Sequence, residues 1–223
     1  RYGTGNIAEG PAMTREECVQ AILTGVDTVR DLKAEGYDLI VTGEMGIGNT
    51  TTSSACAAVL FDQAPEVVTG RGAGLSTEGL NKKVRAIERA IEVNHPDKTD
   101  AIDVISKVGG LDIAGMVGCY LGAAYYHLPI LIDGFISAIS AYLAGMLSKT
   151  AKEYMIPTHG SAEPAAKLAM EHLGMQAPIQ AGMHLGEGTG AIMGLSLIDQ
   201  GLNVYYHVAT WDGAHVEAYT HQK

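Results

Sequence analysis

Two glycine-rich segments, each set between an apolar run and a helix-forming stretch, constrain this chain more than any other feature. The first, Thr42-Gly43-Glu44-Met45-Gly46-Ile47-Gly48-Asn49-Thr50, follows Tyr37-Asp38-Leu39-Ile40-Val41 and leads into Ala55-Cys56-Ala57-Ala58-Val59-Leu60. The second, Gly182-Met183-His184-Leu185-Gly186-Glu187-Gly188-Thr189-Gly190-Ala191, follows Ala177-Pro178-Ile179-Gln180-Ala181 and opens a small-residue helix ending near Ile198. A strand, a glycine turn and a helix start together let backbone approach a ligand, and they turn free N–H groups toward an anion. The first segment fits neither the dinucleotide fingerprint nor the P-loop, and alone it reads equally well as a turn with a Thr/Ser cap. The second segment breaks that tie. Each carries one carboxylate, Glu44 and Glu187, and two such residues at the ends of two strands would meet in the crevice where open α/β sheets bind ligands. Glu44 would repel a phosphate, so it is expected to face another part of the substrate.

The rest of the chain alternates in the same way. Helices are expected from about Thr14 to Glu35, Thr50 to Phe61, Thr77 to Val93, Leu111 to Tyr126, Phe135 to Ser148, Ala162 to Leu173 and Thr189 to Gly201. Short apolar runs at Leu39–Thr42, Val67–Thr69, Ile130–Ile132, Tyr154–Ile156 and Ile179–Ala181 read as strands. Strands alternating with helices predict an α/β fold with a mainly parallel, Rossmann-like sheet, and continuous apolar strands predict helices on both faces. One domain over residues 1–223 is expected. Residues 202–223 read as a closing helix or hairpin that could belong to a smaller helical part. Leu111 to Leu128 and Phe135 to Leu147 hold more small-residue apolar helix than one sheet face needs, and the surplus is expected to meet a second copy.

Composition excludes several classes. A net charge of −10, from 15 basic and 25 acidic residues, argues against a nucleic-acid partner, which needs basic surface. A phosphorylated small substrate would then be held by local donors and not by the overall field. Cys18, Cys56 and Cys119 have no paired spacing, which argues against a disulfide framework or a zinc site. The longest apolar stretch, Leu111 to Leu128, is broken by Asp112, three glycines and His127, so a buried helix is expected and no membrane span. A cytoplasmic protein is the expected default.

Ordered blocks along nearly the whole chain resemble the nicotinate-nucleotide–dimethylbenzimidazole phosphoribosyltransferase family. They are Gly5-Asn6-Ile7-Ala8 with Gly10-Pro11-Ala12-Met13, Gly43-Glu44-Met45-Gly46 with Asn49-Thr50-Thr51, and Asn81-Lys82-Lys83-Val84. Next come Asp103-Val104-Ile105-Ser106-Lys107-Val108-Gly109-Gly110 and Leu131-Ile132-Asp133-Gly134-Phe135-Ile136-Ser137. His159-Gly160-Ser161-Ala162-Glu163 and Leu185-Gly186-Glu187-Gly188-Thr189-Gly190-Ala191 complete the set. The resemblance implies transfer of a phosphoribosyl group from nicotinate mononucleotide to a benzimidazole-type base, with no cofactor and no metal, by a homodimer. Proteins of this family begin upstream of the residue numbered 1 here. The resemblance implies that their amino-terminal part supplies helices and much of the wall around the base, so the chain is not expected to be self-sufficient.

The same resemblance assigns roles. Glu187 takes that of general base, and Glu44 that of a second carboxylate that positions the base and partly substitutes. The substrate-binding set is Met45, Gly46, Asn49, Thr50, Gly72, Lys83, Asp133, Gly134, Ser161, Leu185, Gly186 and Gly188. Asn49 and the N–H groups of Gly46 to Thr50 form one arm around the phosphate, and Lys83 is the phosphate lysine. Without the resemblance, Lys83 reads as part of a solvated face with Lys82 and Arg85. Arg71 is an alternative cation, Ser161 either caps a helix or faces the nucleotide, and Asp133 holds ribose hydroxyls or caps the next helix. Asp103 and Lys107 read as a structural i,i+4 pair. Two other functions stay open: a related phosphoribosyltransferase acting on another base or a phenol, and a non-catalytic paralogous subunit. The intact glycine blocks and Glu187 argue against the second.

Overall fold

A computed structural model describes residues 2–217 and Thr220. The chain runs α1 (Arg15–Ala34), β1 (Ile40–Val41), α2 (Asn49–Leu60), α3 (Pro65–Val68), α4 (Thr77–Asn94), α5 (Ala101–Val108), α6 (Leu111–Tyr125), β2 (Ile130–Ile132), α7 (Phe135–Leu147), a 3-10 turn (Lys149–Tyr154), β3 (Met155–Pro157), β4 (His159–Ser161), α8 (Pro164–Leu173), β5 (Ile179–Met183) and α9 (Thr189–His207). Every strand pairing is parallel: β1, β2 and β3 form one sheet in sequence order, and β4 and β5 form a second. Ile40 and Val41 face Ile130 and Leu131, which in turn face Met155 and Ile156. Thr158 joins the two sheets: its hydroxyl donates to the carbonyl of Ile132 at 2.6 Å as the chain turns from β3 into β4.

Local chemistry accounts for the elements. Thr14 and Glu17 close a capping box at the start of α1, with Glu17 N donating to Thr14 Oγ1 and Thr14 N donating to Glu17 Oε2. Ser76 caps α4 through the Gly79 N–H, and Asp100 caps α5 through those of Ile102 and Asp103. The helices α1 and α6 touch backbone to backbone: a methyl group on Gly25 would strike Gly115, and one on Gly118 would strike Ile22. Small residues there bring two helices closer than ordinary side chains allow, and Gly122 continues the seam against Val26 and Val29.

The core gathers β2, α6 and α7, most of whose apolar side chains are enclosed, while Tyr125 and Leu147 at the helix ends are exposed. Tyr120 of α6 is fully buried and its hydroxyl is satisfied by Thr42 Oγ1 at 2.8 Å and by the carbonyl of Ser137 at 3.2 Å. Burial pushes this phenol far above its ordinary range. The pair fastens the end of β1 to α6 and α7, directly beneath the first glycine loop.

Several sequence expectations need correction. Val67–Thr69 is not a strand: Pro65 occupies the first turn of α3, where its fixed φ favours helix, and Thr69 follows as an extended residue. His159–Ser161 is an additional strand, too short and polar to show an apolar run. The helix α5 is a further element, and within it Asp103 and Lys107 pair at 2.9 Å. The closing segment continues α9 as far as His207 and then turns at residues 211–215, while 218, 219 and 221–223 lie outside the described residues. The helices α6 and α7 do not offer surplus apolar surface to a second copy. They form the interior of this chain, with α1 covering α6, and α9 carries the longest series of exposed apolar side chains. Among the described residues, no helix is long and apolar enough to cross a membrane.

Candidate active site

The two glycine loops converge. The backbone N–H of Glu187 donates to the carbonyl of Glu44 at 2.9 Å, and both residues line a cavity of about 530 Å³. Gly43 lies directly on the backbone of Glu187 and Gly188, and a Cβ at position 43 would collide with Gly188 N. Around the cavity stand Met45, Gly46 and Ile47 of the first loop, Leu185 and Gly186 of the second, and Gly134 at the end of β2. Gly188 lines a smaller opening beside it, shared with Val41 and Gly43. A space of this size suits a drug-sized ligand.

The second loop is held in an unusual conformation. Gly186, Glu187 and Gly188 all have positive φ, and Glu187 at +60° is the non-glycine member. The left-handed region costs such a residue about 1–2 kcal/mol, so the surroundings must hold it there. Thr189 bonds back to the Gly186 carbonyl through both its N–H and its hydroxyl. Asp133, 3% exposed, accepts from Gly188 N at 3.0 Å, Gly190 N at 2.9 Å and Ala191 N at 3.1 Å. Charged hydrogen bonds of this kind contribute roughly 1.5–3 kcal/mol each.

Asp133 therefore caps α9, a helix distant in sequence, and not the helix that follows it. Asp133 also lines the cavity, although three backbone N–H groups take up most of its acceptor capacity. His159 packs beside it with Nδ1 3.9 Å from Asp133 Oδ1. Burial lowers the His159 pKa, opposed by the Asp133 charge. A methyl group on Gly190 would occupy the place of the His159 ring.

The opposite wall is an anion site in outline. The helix α2 starts at Asn49 behind Gly48, at φ +88°, and no side chain among the described residues caps it. Thr50 faces the cavity across from Gly72, Ala73 and Gly74. Behind them Lys83, 7% exposed, donates to Thr50 Oγ1 and to the Gly70 carbonyl, both at 3.0 Å. The solvated-face reading of Lys83 fails: burial lowers its pKa, opposed by the Glu163 charge, and its hydrogen-bond acceptors are neutral.

Other expectations shift. The Asn49 amide turns to Asp112 on α6 at 2.8 Å, and Asn49 is absent from the cavity wall. Arg71 donates to the Leu75 carbonyl and the Thr77 hydroxyl and is absent from the cavity wall. Ser161 lines the cavity but does not cap α8; its hydroxyl accepts the Glu163 N–H at 3.3 Å, and Glu163 is the cap residue. His159, Glu163 and His184 line the cavity, and sequence reasoning assigned none of them to a site. Glu163 Oε2 is buried without a partner among the described residues, against Gly70. The first two lie in the His159-Gly160-Ser161-Ala162-Glu163 block, whose crowding of polar types was the available signal.

The chain is 50% identical over 222 residues to a nicotinate-nucleotide–dimethylbenzimidazole phosphoribosyltransferase of Acetivibrio thermocellus, covering all of this chain and 63% of that protein. It is 47% identical to the protein of the same name in Clostridium acetobutylicum, covering 98% of this chain and 62% of the other. It thus spans less than two thirds of the length of these relatives. The crystal structure of CobT from Thermus thermophilus superposes with a TM-score of 0.90 at 36% identity, covering 97% of this chain and 65% of that one. The sequence model of a family described as phosphoribosyltransferase matches residues 1–216, and the chain belongs to that family.

Proposed function

We propose that this site transfers the phosphoribosyl group of nicotinate mononucleotide to 5,6-dimethylbenzimidazole or a related base, releasing nicotinate and giving α-ribazole 5′-phosphate. The observation that carries the reading is the meeting of Glu44 and Glu187 on one wall of a cavity whose other wall is an uncapped helix start backed by a buried lysine. The relatives' names supply the substrates.

The chemistry divides between the two walls. Nicotinate in the substrate is a cationic pyridinium, so its departure from the anomeric carbon neutralises a charge. The incoming benzimidazole attacks through one nitrogen and must lose the proton carried by the other. Glu187 accepts that proton as general base, and Glu44 beside it orients the ring. Direct in-line attack inverts the anomeric centre and requires the two bases on opposite faces of the ribose, which is positioning work. The phosphate is a handle, held by the first N–H groups of α2 and by Lys83. Gly72, Ser161 and Gly134 line the space between the two ends.

The reading extends to a cytoplasmic homodimer acting without cofactor or metal. Ile192, Met193, Leu197 and Val204 on the exposed side of α9 support a contact with a second copy, since obligate interfaces are apolar. Incubating the full-length protein with nicotinate mononucleotide and a panel of benzimidazoles, purines and phenols, with products identified by mass spectrometry, tests the function. A benzimidazole ribotide is the expected product; a purine or phenol ribotide alone would reassign the nucleophile. Sedimentation of the same protein tests the dimer, and a monomer would remove it.

A further inference from the structure

The helix starts that follow the two glycine loops are treated in opposite ways. That of α2 is left without a side-chain cap and opens on the cavity. That of α9 is closed from behind by a buried carboxylate, which takes the N–H groups of Gly188, Gly190 and Ala191. Glu187 stands immediately before those groups.

We propose that Asp133 is a positioning residue for the Glu187 base: it saturates the start of α9, fixes the loop in its left-handed conformation, and keeps the positive end of the helix from engaging the Glu187 carboxylate. The proposal rests on the transferase reading above. A helix start favours a nearby carboxylate in its ionised form and so weakens it as a base. An internal anion that has already taken that place leaves Glu187 free for the substrate proton. Among the described residues that line the cavity with Glu187, the groups that titrate or carry charge are Glu44 beyond β1, Asp133 at the end of β2, His159 on β4, Glu163 before α8 and His184 beyond β5. Asp133 is the one among them bonded to three backbone donors of the Glu187 loop and its helix. The His159 ring fills the space over Gly190 and holds this helix start against β4.

Asp133→Asn tests the idea in the full-length protein. The amide keeps the shape but removes the charge and one acceptor. The expected result is a fall in kcat of about 10²-fold, as for a small misplacement of a reacting group. The KM for nicotinate mononucleotide stays nearly unchanged, and the acidic limb of the kcat–pH profile moves to lower pH. Asp133→Glu, which keeps the charge but misplaces it, should also lose kcat while its acidic limb remains at the wild-type pH. It carries the test if the Asn variant yields too little folded protein. Amide hydrogen exchange should show lost protection at Gly188, Gly190 and Ala191 in either variant. Near-normal kcat, an unmoved acidic limb in Asp133→Asn, a displaced limb in Asp133→Glu, or a loss of nucleotide affinity in step with kcat would each overturn the proposal. A wild-type protein without turnover would instead overturn the transferase reading itself, and this one with it.

Discussion

The amide of Glu187 is hydrogen-bonded to the carbonyl of Glu44, so the backbone of one acidic loop orders the other. Their carboxylates are thus supplied by two segments far apart in sequence, whose backbones meet in a main-chain contact that substitution of either glutamate side chain leaves in place. The pair can be altered in its chemistry without altering its frame, which makes the proposed mechanism accessible to mutation.

Glu187→Gln should lower turnover about 10²–10⁴-fold while nucleotide binding stays close to wild type, because the amide retains the shape but cannot take the proton. Steady-state rates with calorimetric binding of nicotinate mononucleotide check it. Turnover near wild type would remove Glu187 from the reaction.

Lys83→Ala should raise the KM for nicotinate mononucleotide, and less so for a donor lacking the 5′-phosphate, since the loss is of a charged hydrogen bond. Because burial lowers the lysine's pKa, and its cationic form is the one that binds phosphate, affinity should weaken as pH rises, beginning below the usual lysine range. Equal losses with both donors would place Lys83 in folding or at another site.

Gly190→Ala should destabilise the protein by about 1–3 kcal/mol, since the new methyl group and the His159 ring claim the same space. Urea denaturation gives the value. If the midpoint does not move, the packing of His159 over α9 is looser than described.

Asn49→Asp should be a stability defect that grows with pH. The new carboxyl would face Asp112, now 2.8 Å from the Asn49 amide nitrogen, and can bond to it only while one of the two carries a proton. Its folded-state pKa is thereby raised, so stability is kept at low pH and lost as pH rises through the carboxylate range. A penalty of roughly 1–3 kcal/mol near neutrality is expected from leaving the pair unsatisfied. Melting curves across pH check it; a flat profile would mean the Asn49–Asp112 contact is not formed.

The loop residues were legible because glycine and carboxylate at a strand end leave a pattern in one dimension. The helices α1 and α4 were legible through the Thr and Ser residues at their starts, and α6 and α7 through their apolar lengths. Where side chains would turn was not. Asn49 and Asp133 carry the residue types of a binding site, yet one is claimed by Asp112 and the other by the backbone of α9, and both partners are remote in sequence. Lys83 looks solvated beside Lys82, and only the packing of α4 against the Gly70 turn reveals it as buried. Val67–Thr69 shows the opposite failure: its β-branched run was outweighed by one proline at a helix start.

The touch of Gly43 on Gly188 makes the two acidic loops a single mechanical part. A side chain gained at Gly43, against the Gly188 backbone, or at Gly186, against the Glu44 carbonyl, would wedge them apart and separate Glu44 from Glu187. Variation at Gly43 or Gly186 is therefore tolerable only when the facing loop shifts to match, and libraries meant to retarget the base should keep these two glycines or randomise both loops together.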